Sequence, residues 1–125
     1  MPEPAKARYQ ILVVDDEPIV CKSIKMLLTF DGHSVQTVES GEAALALLEH
    51  AHFDLIITDY SMAGMRGDQL AERIKRHRPD QSIIMASAFA DDFRGPGKLS
   101  VAVDFLLTKP FSLTELRDAV ALALS

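Results

Sequence analysis

Short uninterrupted aliphatic runs alternate along this chain with stretches in which apolar residues return every three or four positions. Runs of the first kind are typical of strands buried on both faces, and the second spacing is that of an amphipathic helix. Residues 11–14 (Ile-Leu-Val-Val) form the first run, followed by Asp15-Asp16-Glu17-Pro18; Val20, Ile24, Leu27 and Leu28 then recur at helical spacing, with Gly32 as a stop. Ser34–Val38 alternates enough to predict a second, more exposed strand. Ser40 is placed to N-cap a helix with Ala43, Ala44, Leu47 and Leu48 on one face. A third strand over residues 55–57 ends at Thr58-Asp59, and after a loop over residues 60–67, Asp68 is expected to cap a helix carrying Leu70, Ala71 and Ile74 inward. Residues 82–86 and 104–107 give a fourth and a fifth strand, and Ser112 caps a last helix with Leu113, Leu116 and Val120 on one face. Between Ala88 and Val103 the triplet Gly95-Pro96-Gly97 breaks helical continuity, so a short, interrupted or mobile element is expected there.

Strands alternating with helices imply an α/β fold, a parallel sheet with helices on both faces, because right-handed crossovers place them there. Ligands of such open sheets bind outside the carboxyl ends of the strands. The polar residues that fall at those ends are Asp15 and Asp16 after the first strand, Asp59 after the third, Ser87 after the fourth and Lys109 after the fifth. All five are expected to converge on one edge.

Composition narrows the picture. A chain of 125 residues with 48% hydrophobic content has room for one core, so residues 9–125 are read as one domain and residues 1–8 as a flexible tail. No apolar run approaches the roughly 20 residues that span a bilayer, and the start lacks the apolar stretch of a signal peptide. A cytoplasmic protein with no membrane contact is expected. The single Cys21 cannot form an internal disulfide and reads as a small helical residue. The net charge of −5 argues against direct DNA binding. The one basic cluster, Arg73, Lys75, Arg76 and Arg78, precedes Pro79 and suits a helix C-terminus.

Three carboxylates gathered at one edge repel one another and require a counter-cation. Mg²⁺ fits, as a hard ion usually held by one or two carboxylates plus a phosphate oxygen. Lys109 adds a second positive charge and Ser87 a hydroxyl donor, a set suited to stabilising a phosphoryl group during transfer. An Asp that attacks phosphorus forms an acyl phosphate. Asp59 stands alone at its strand end and is the candidate nucleophile, whereas the Asp15–Asp16 pair suits metal.

The chain resembles a response-regulator receiver domain of two-component and phosphorelay signalling. The likeness is carried by Ile11-Leu12-Val13-Val14-Asp15-Asp16-Glu17, by Asp59-Tyr60-Ser61-Met62-Ala63-Gly64-Met65-Arg66-Gly67, by Ile83-Ile84-Met85-Ala86-Ser87-Ala88 and by Lys109-Pro110-Phe111. The resemblance implies a flavodoxin-like doubly wound fold with strand order 2-1-3-4-5. It implies that Asp59 is the phosphoacceptor, that Asp16, Asp59 and the backbone carbonyl of Ser61 ligate Mg²⁺, and that Asp15 acts largely through water. Ser87, Ala88 and Lys109 then bind the phosphoryl group, and the Lys109–Pro110 peptide is cis. Such a domain assists its own phosphorylation and dephosphorylation without being a turnover enzyme. Its donor is a sensor histidine kinase or a histidine phosphotransfer protein, and its reader a downstream effector, separate or in the same polypeptide. The helix from Ser112 with residues 95–97 is the usual output face.

Some positions depart from that pattern. Leu106 stands where an aromatic usually lies three residues before the lysine, and Phe105, offset by one, is expected on the opposite strand face. Ala63 replaces a common proline, leaving the loop less constrained. Ser61 and Phe89 occupy positions that in this family tune loss of the phosphoryl group, and bulky Phe89 is expected to hinder in-line water. His33, His50, His52 and His77 fall in loops or helix ends and read as exposed structural residues. Two other functions share parts of the motif: a phosphorylation-independent adaptor, and a Mg²⁺-dependent phosphatase. A phosphatase of the haloacid-dehalogenase type carries an acidic residue where this chain has Ser61.

Overall fold

The computed structural model describes residues 8–94 and 102–125. Five parallel strands run in the order β2-β1-β3-β4-β5: β1 (Gln10–Val14), β2 (Ser34–Val38), β3 (Leu55–Asp59), β4 (Ser82–Ser87) and β5 (Phe105–Thr108). Between and after them lie α1 (Pro18–Phe30), α2 (Gly41–Leu48), α3 (Gly67–His77) and α4 (Leu113–Leu124), with a 3₁₀ turn at Ala90–Phe93. The expected strand order and the helices on both faces are therefore present. The expected tail and the Gly95-Pro96-Gly97 interruption lie largely or wholly outside the described residues.

Strand periodicity of two divides the core between the faces. Ile11, Val13, Leu55, Ile57, Ile84 and Ala86 meet Cys21, Ile24 and Leu28 of α1 and Leu116 and Val120 of α4. Leu12, Val14, Ile56 and Ile83 meet Ala44 and Leu48 of α2 and Leu70, Ala71 and Ile74 of α3. The central strand β3 is buried along its whole length, while β2 at the sheet edge is mostly half-buried, as its alternation predicts.

Several local expectations are corrected. Helix α3 is capped at Arg66, whose N–H donates to the Gln69 side chain at 3.0 Å. Asp68 sits inside the first turn instead, where its charge complements the helix dipole and its carboxylate takes the Arg66 guanidinium at 3.1 Å. Strand β4 extends one residue further, to Ser87. Asp104 precedes β5; its carboxylate accepts from the Ile83 N–H at 2.8 Å and pairs with Lys75 at 2.9 Å. Ala43 and Leu113 point to solvent, Leu113 being 59% exposed. Ser40 and Ser112 do cap α2 and α4, through Ala43 and Glu115 N–H groups at 3.0 Å each.

The basic cluster at the end of α3 is used structurally. Lys75 pairs with Asp104, Arg76 with Glu72, and Arg78 donates to the Leu48 and Ala51 carbonyls. His50, His52 and His77 are exposed as expected, but His33 is half-buried and tilts against Tyr9 at 5.7 Å. Among the described residues, no helix is long and apolar enough to cross a membrane.

Candidate functional site

At the carboxyl edge of the sheet the first, third and fifth strands deliver Asp15–Asp16, Asp59 and Lys109 to one place. Carboxylate oxygens of Asp15, Asp16 and Asp59 lie within 4.8 Å of one another. Asp15 and Asp59 are buried, and Asp16 is the most open of the three. The Lys109 Nζ is 2.8 Å from Asp59 Oδ1 and 3.8 Å from Asp15 Oδ2.

Backbone groups hold these side chains. The Glu17 N–H donates to Asp15 Oδ1 at 2.9 Å, and the Ala63 N–H donates to Asp16 Oδ2 at 3.1 Å. The second bond ties the acidic pair to the loop that follows Asp59, a loop anchored in the core by buried Met62 and Met65 and turned at Gly64, φ +78°. The Lys109 N–H donates to the Ser87 carbonyl at 3.0 Å, which sets the β5 end beside the β4 end. The Lys109–Pro110 peptide is cis, as the resemblance implies.

Electrostatics follow from this crowding. Burial raises the Asp15 carboxyl above its usual range; Asp59 adds to the rise, while the Glu17 N–H and Lys109 oppose it. Burial alone would lower the Lys109 ammonium, but its hydrogen bond to Asp59 and the charges of Asp59 and Asp15 outweigh that, and the net shift is upward. Lys109 therefore stays charged and offsets one of three carboxylate charges. The excess left over is the charge of one divalent cation, and the donors are all hard oxygens, so the residues fit Mg²⁺.

Ser87 is buried, and its hydroxyl oxygen accepts from the Phe89 N–H at 2.9 Å, which leaves its own proton free to donate. Ala88 and Phe89 are exposed at the rim. Ser61 is exposed in the loop after Asp59. Phe105 packs with the α1–α4 face as expected for its offset. The Leu106 carbonyl accepts from Arg94, which also reaches the Thr108 hydroxyl, at 3.1 Å each. Tyr60, next to Asp59, stacks tilted on Phe93 at 5.1 Å.

Two neighbours of Asp59 escaped the reading of the sequence. The Thr58 hydroxyl donates to the Asp59 carbonyl at 3.0 Å, and a Cβ placed on Gly67 would lie 2.2 Å from that same oxygen. Neither residue titrates; Thr58 bonds the carbonyl of the residue that follows it, and Gly67 is brought against that carbonyl by the packing of α3, so only Gly67's place in a glycine-bearing loop hinted at it.

Residues 11–121 match the profile of the response regulator receiver domain. The transcriptional regulatory protein TcrA of Mycobacterium tuberculosis is 34% identical over 107 residues, which cover 86% of this chain and 42% of that protein. The chain thus spans less than half the length of TcrA. Among solved structures, the response regulator TrrA of Thermotoga maritima, in complex with Mg²⁺–BeF, superposes with a TM-score of 0.83 at 34% identity, covering 93% of this chain and 99% of that one. The chemotaxis response regulator CheY4 of Vibrio cholerae gives a TM-score of 0.82 at 26% identity, covering 94% of this chain and 100% of that one.

Proposed function

This chain belongs to the response regulator receiver domain family, the phosphorylation-responsive signalling domain of two-component systems, and from that membership we propose that Asp59 is its phosphoacceptor. The observation that carries the assignment is the Lys109–Asp59 contact of 2.8 Å inside the Asp15–Asp16–Asp59 cluster, because it singles out one carboxylate oxygen facing a fixed cation.

In the proposed step an Asp59 carboxylate oxygen attacks the donor phosphorus in line. The new P–O bond forms as the P–N bond to the donor histidine breaks, and the imidazole leaves with the electron pair. Lys109 and the Ser87 hydroxyl, with the backbone at Ala88, receive the equatorial phosphoryl oxygens. Mg²⁺, held by Asp16, Asp59 and the Ser61 carbonyl with Asp15 acting through water, would supply the positive charge that lets two anions meet. The chain's own residues thereby assist both phosphorylation and its reversal without a conventional turnover cycle.

Receiver domains of this family exchange signals with histidine kinases and downstream effectors. Here we assign a sensor histidine kinase or histidine phosphotransfer protein as donor, an effector in the same or another polypeptide as reader, no direct DNA contact by this domain, and a cytoplasmic location. Incubation with Mg²⁺ and acetyl phosphate tests the site: a single phosphoryl adduct that is absent with chelator supports the reading, and no adduct despite Mg²⁺ binding turns it towards an adaptor that works without phosphorylation.

A further inference from the structure

Strand β3 outlasts its neighbour. The β1–β3 rungs end at Val14 opposite Thr58, whereas β3 continues beside β4 with Asp59 opposite Ala86. The Tyr60 N–H donates to the Ala86 carbonyl at 2.9 Å. In a parallel ladder, successive residues address opposite neighbours, so the Asp59 carbonyl points towards the β1 side, where no strand remains. It is a backbone acceptor in a residue only 5% exposed, and such groups are costly to leave without a partner.

The Thr58 hydroxyl fills that need. Thr58 is 1% exposed, and its Oγ1 donates to the Asp59 carbonyl at 3.0 Å. Its side chain shares the α2–α3 face with Val14 and Ile56, opposite in sense to the Asp59 carboxylate, so it touches none of the reacting atoms. From the same side the first residue of α3, Gly67, leaves no room for a Cβ against that carbonyl and donates its N–H to the Tyr60 carbonyl at 2.9 Å. The peptide between Asp59 and Tyr60 is therefore held at both polar ends: its N–H by Ala86 and its C=O by Thr58, with α3 closing the space behind it.

We propose that Thr58 is a positioning residue for phosphoryl transfer, its hydroxyl locking the peptide plane that aims the Asp59 carboxylate at Lys109. The inference rests on Asp59 being the acceptor. Without the hydroxyl the plane can rock about its remaining bond to Ala86, and the carboxylate is spread over orientations of which fewer meet the donor phosphorus in line; small misplacements of a reacting group carry large rate penalties.

The test measures the rate of adduct formation with acetyl phosphate and Mg²⁺ in the full chain, per folded molecule, for wild type, Thr58→Val, Thr58→Ser and Asp59→Asn. Unfolding curves supply the folded fraction. The expected result is a rate about tenfold lower in Thr58→Val and restored to within about twofold by Thr58→Ser. Should Thr58→Val not fold, Thr58→Ala against Thr58→Ser, which differ by one oxygen, carries the same comparison. A wild-type rate per folded molecule in the variants lacking the hydroxyl overturns the proposal, as does Thr58→Ser being as slow as they are, since packing of the methyl would then be what matters. An adduct that persists in Asp59→Asn overturns the acceptor assignment itself and this inference with it.

Discussion

Lys109 and Asp59 meet across two strand ends: Lys109 Nζ lies 2.8 Å from Asp59 Oδ1, although the residues are brought there by β5 and β3, with β4 between them. The Lys109 N–H to Ser87 carbonyl bond fixes the lysine's backbone against that intervening strand. The contact thus reports the register of three strands at once, and its chemistry depends on all of them.

Replacing the ammonium while keeping much of the stem tests its electrostatic role. Lys109→Met is expected to slow phosphoryl acceptance by about 10²-fold, the usual scale for removing one preorganised charge stabiliser, with Mg²⁺ binding retained. The measurement is the adduct rate set beside a calorimetric Mg²⁺ titration.

Asp15 carries a cost in the metal-free protein. Its carboxyl is raised above the usual range by burial. A raised carboxyl favours folding below its unfolded value, and that contribution is lost as pH rises through the folded value. At neutral pH the ionised group is therefore destabilising, and Asp15→Asn is expected to stabilise the metal-free chain by about 0.5–2 kcal/mol while weakening Mg²⁺ binding. Urea unfolding with chelator checks this, and the advantage should shrink as pH falls and wild-type Asp15 takes up a proton.

Gly67→Ala brings a methyl to 2.2 Å from the Asp59 carbonyl and 2.9 Å from its carbon. Backbone on both sides must give, and a loss of about 1–3 kcal/mol in denaturant unfolding is expected. Gly32, φ +98° with no atom near an added Cβ, is the contrasting site: Gly32→Ala is strained by conformation alone and should cost less, about 1 kcal/mol.

Phe89 stands 57% exposed two residues after Ser87, and its N–H is fixed by the Ser87 hydroxyl. The expectation from its position is that the bulky ring hinders in-line water at the phosphoryl group, so Phe89→Ala should shorten the phosphorylated lifetime. Decay of isolated phosphoprotein checks it, with slower or unchanged decay in the variant as the contrary result.

The inner strands β1, β3 and β4 were legible because they are covered on both faces and so read as aliphatic runs, the edge strand β2 was read from its alternation, and the candidate site was legible because β1, β3, β4 and β5 each lead into a polar residue of the right kind. Helix surfaces were harder. Ala43 and Leu113 satisfy the helical spacing yet face solvent, since a small apolar residue at the edge of a stripe and a leucine at the first helical position lack a packing partner. The start of α3 was misplaced because Asp68 looks like a cap, whereas the turn is closed by Gln69 on Arg66. Thr58 and Gly67 were silent for a different reason: they act on a backbone carbonyl, and no side-chain pattern marks where a ladder ends.

The most direct test of the central claim is chemical mapping of the acceptor. The phosphorylated chain is reduced with borohydride, which converts an aspartyl phosphate to homoserine, and the modified peptide is sequenced by mass spectrometry beside an Asp59→Asn control. The account predicts homoserine at position 59, dependent on Mg²⁺ and absent from the control. Homoserine at another carboxylate, or donor turnover with no trapped residue, would contradict it.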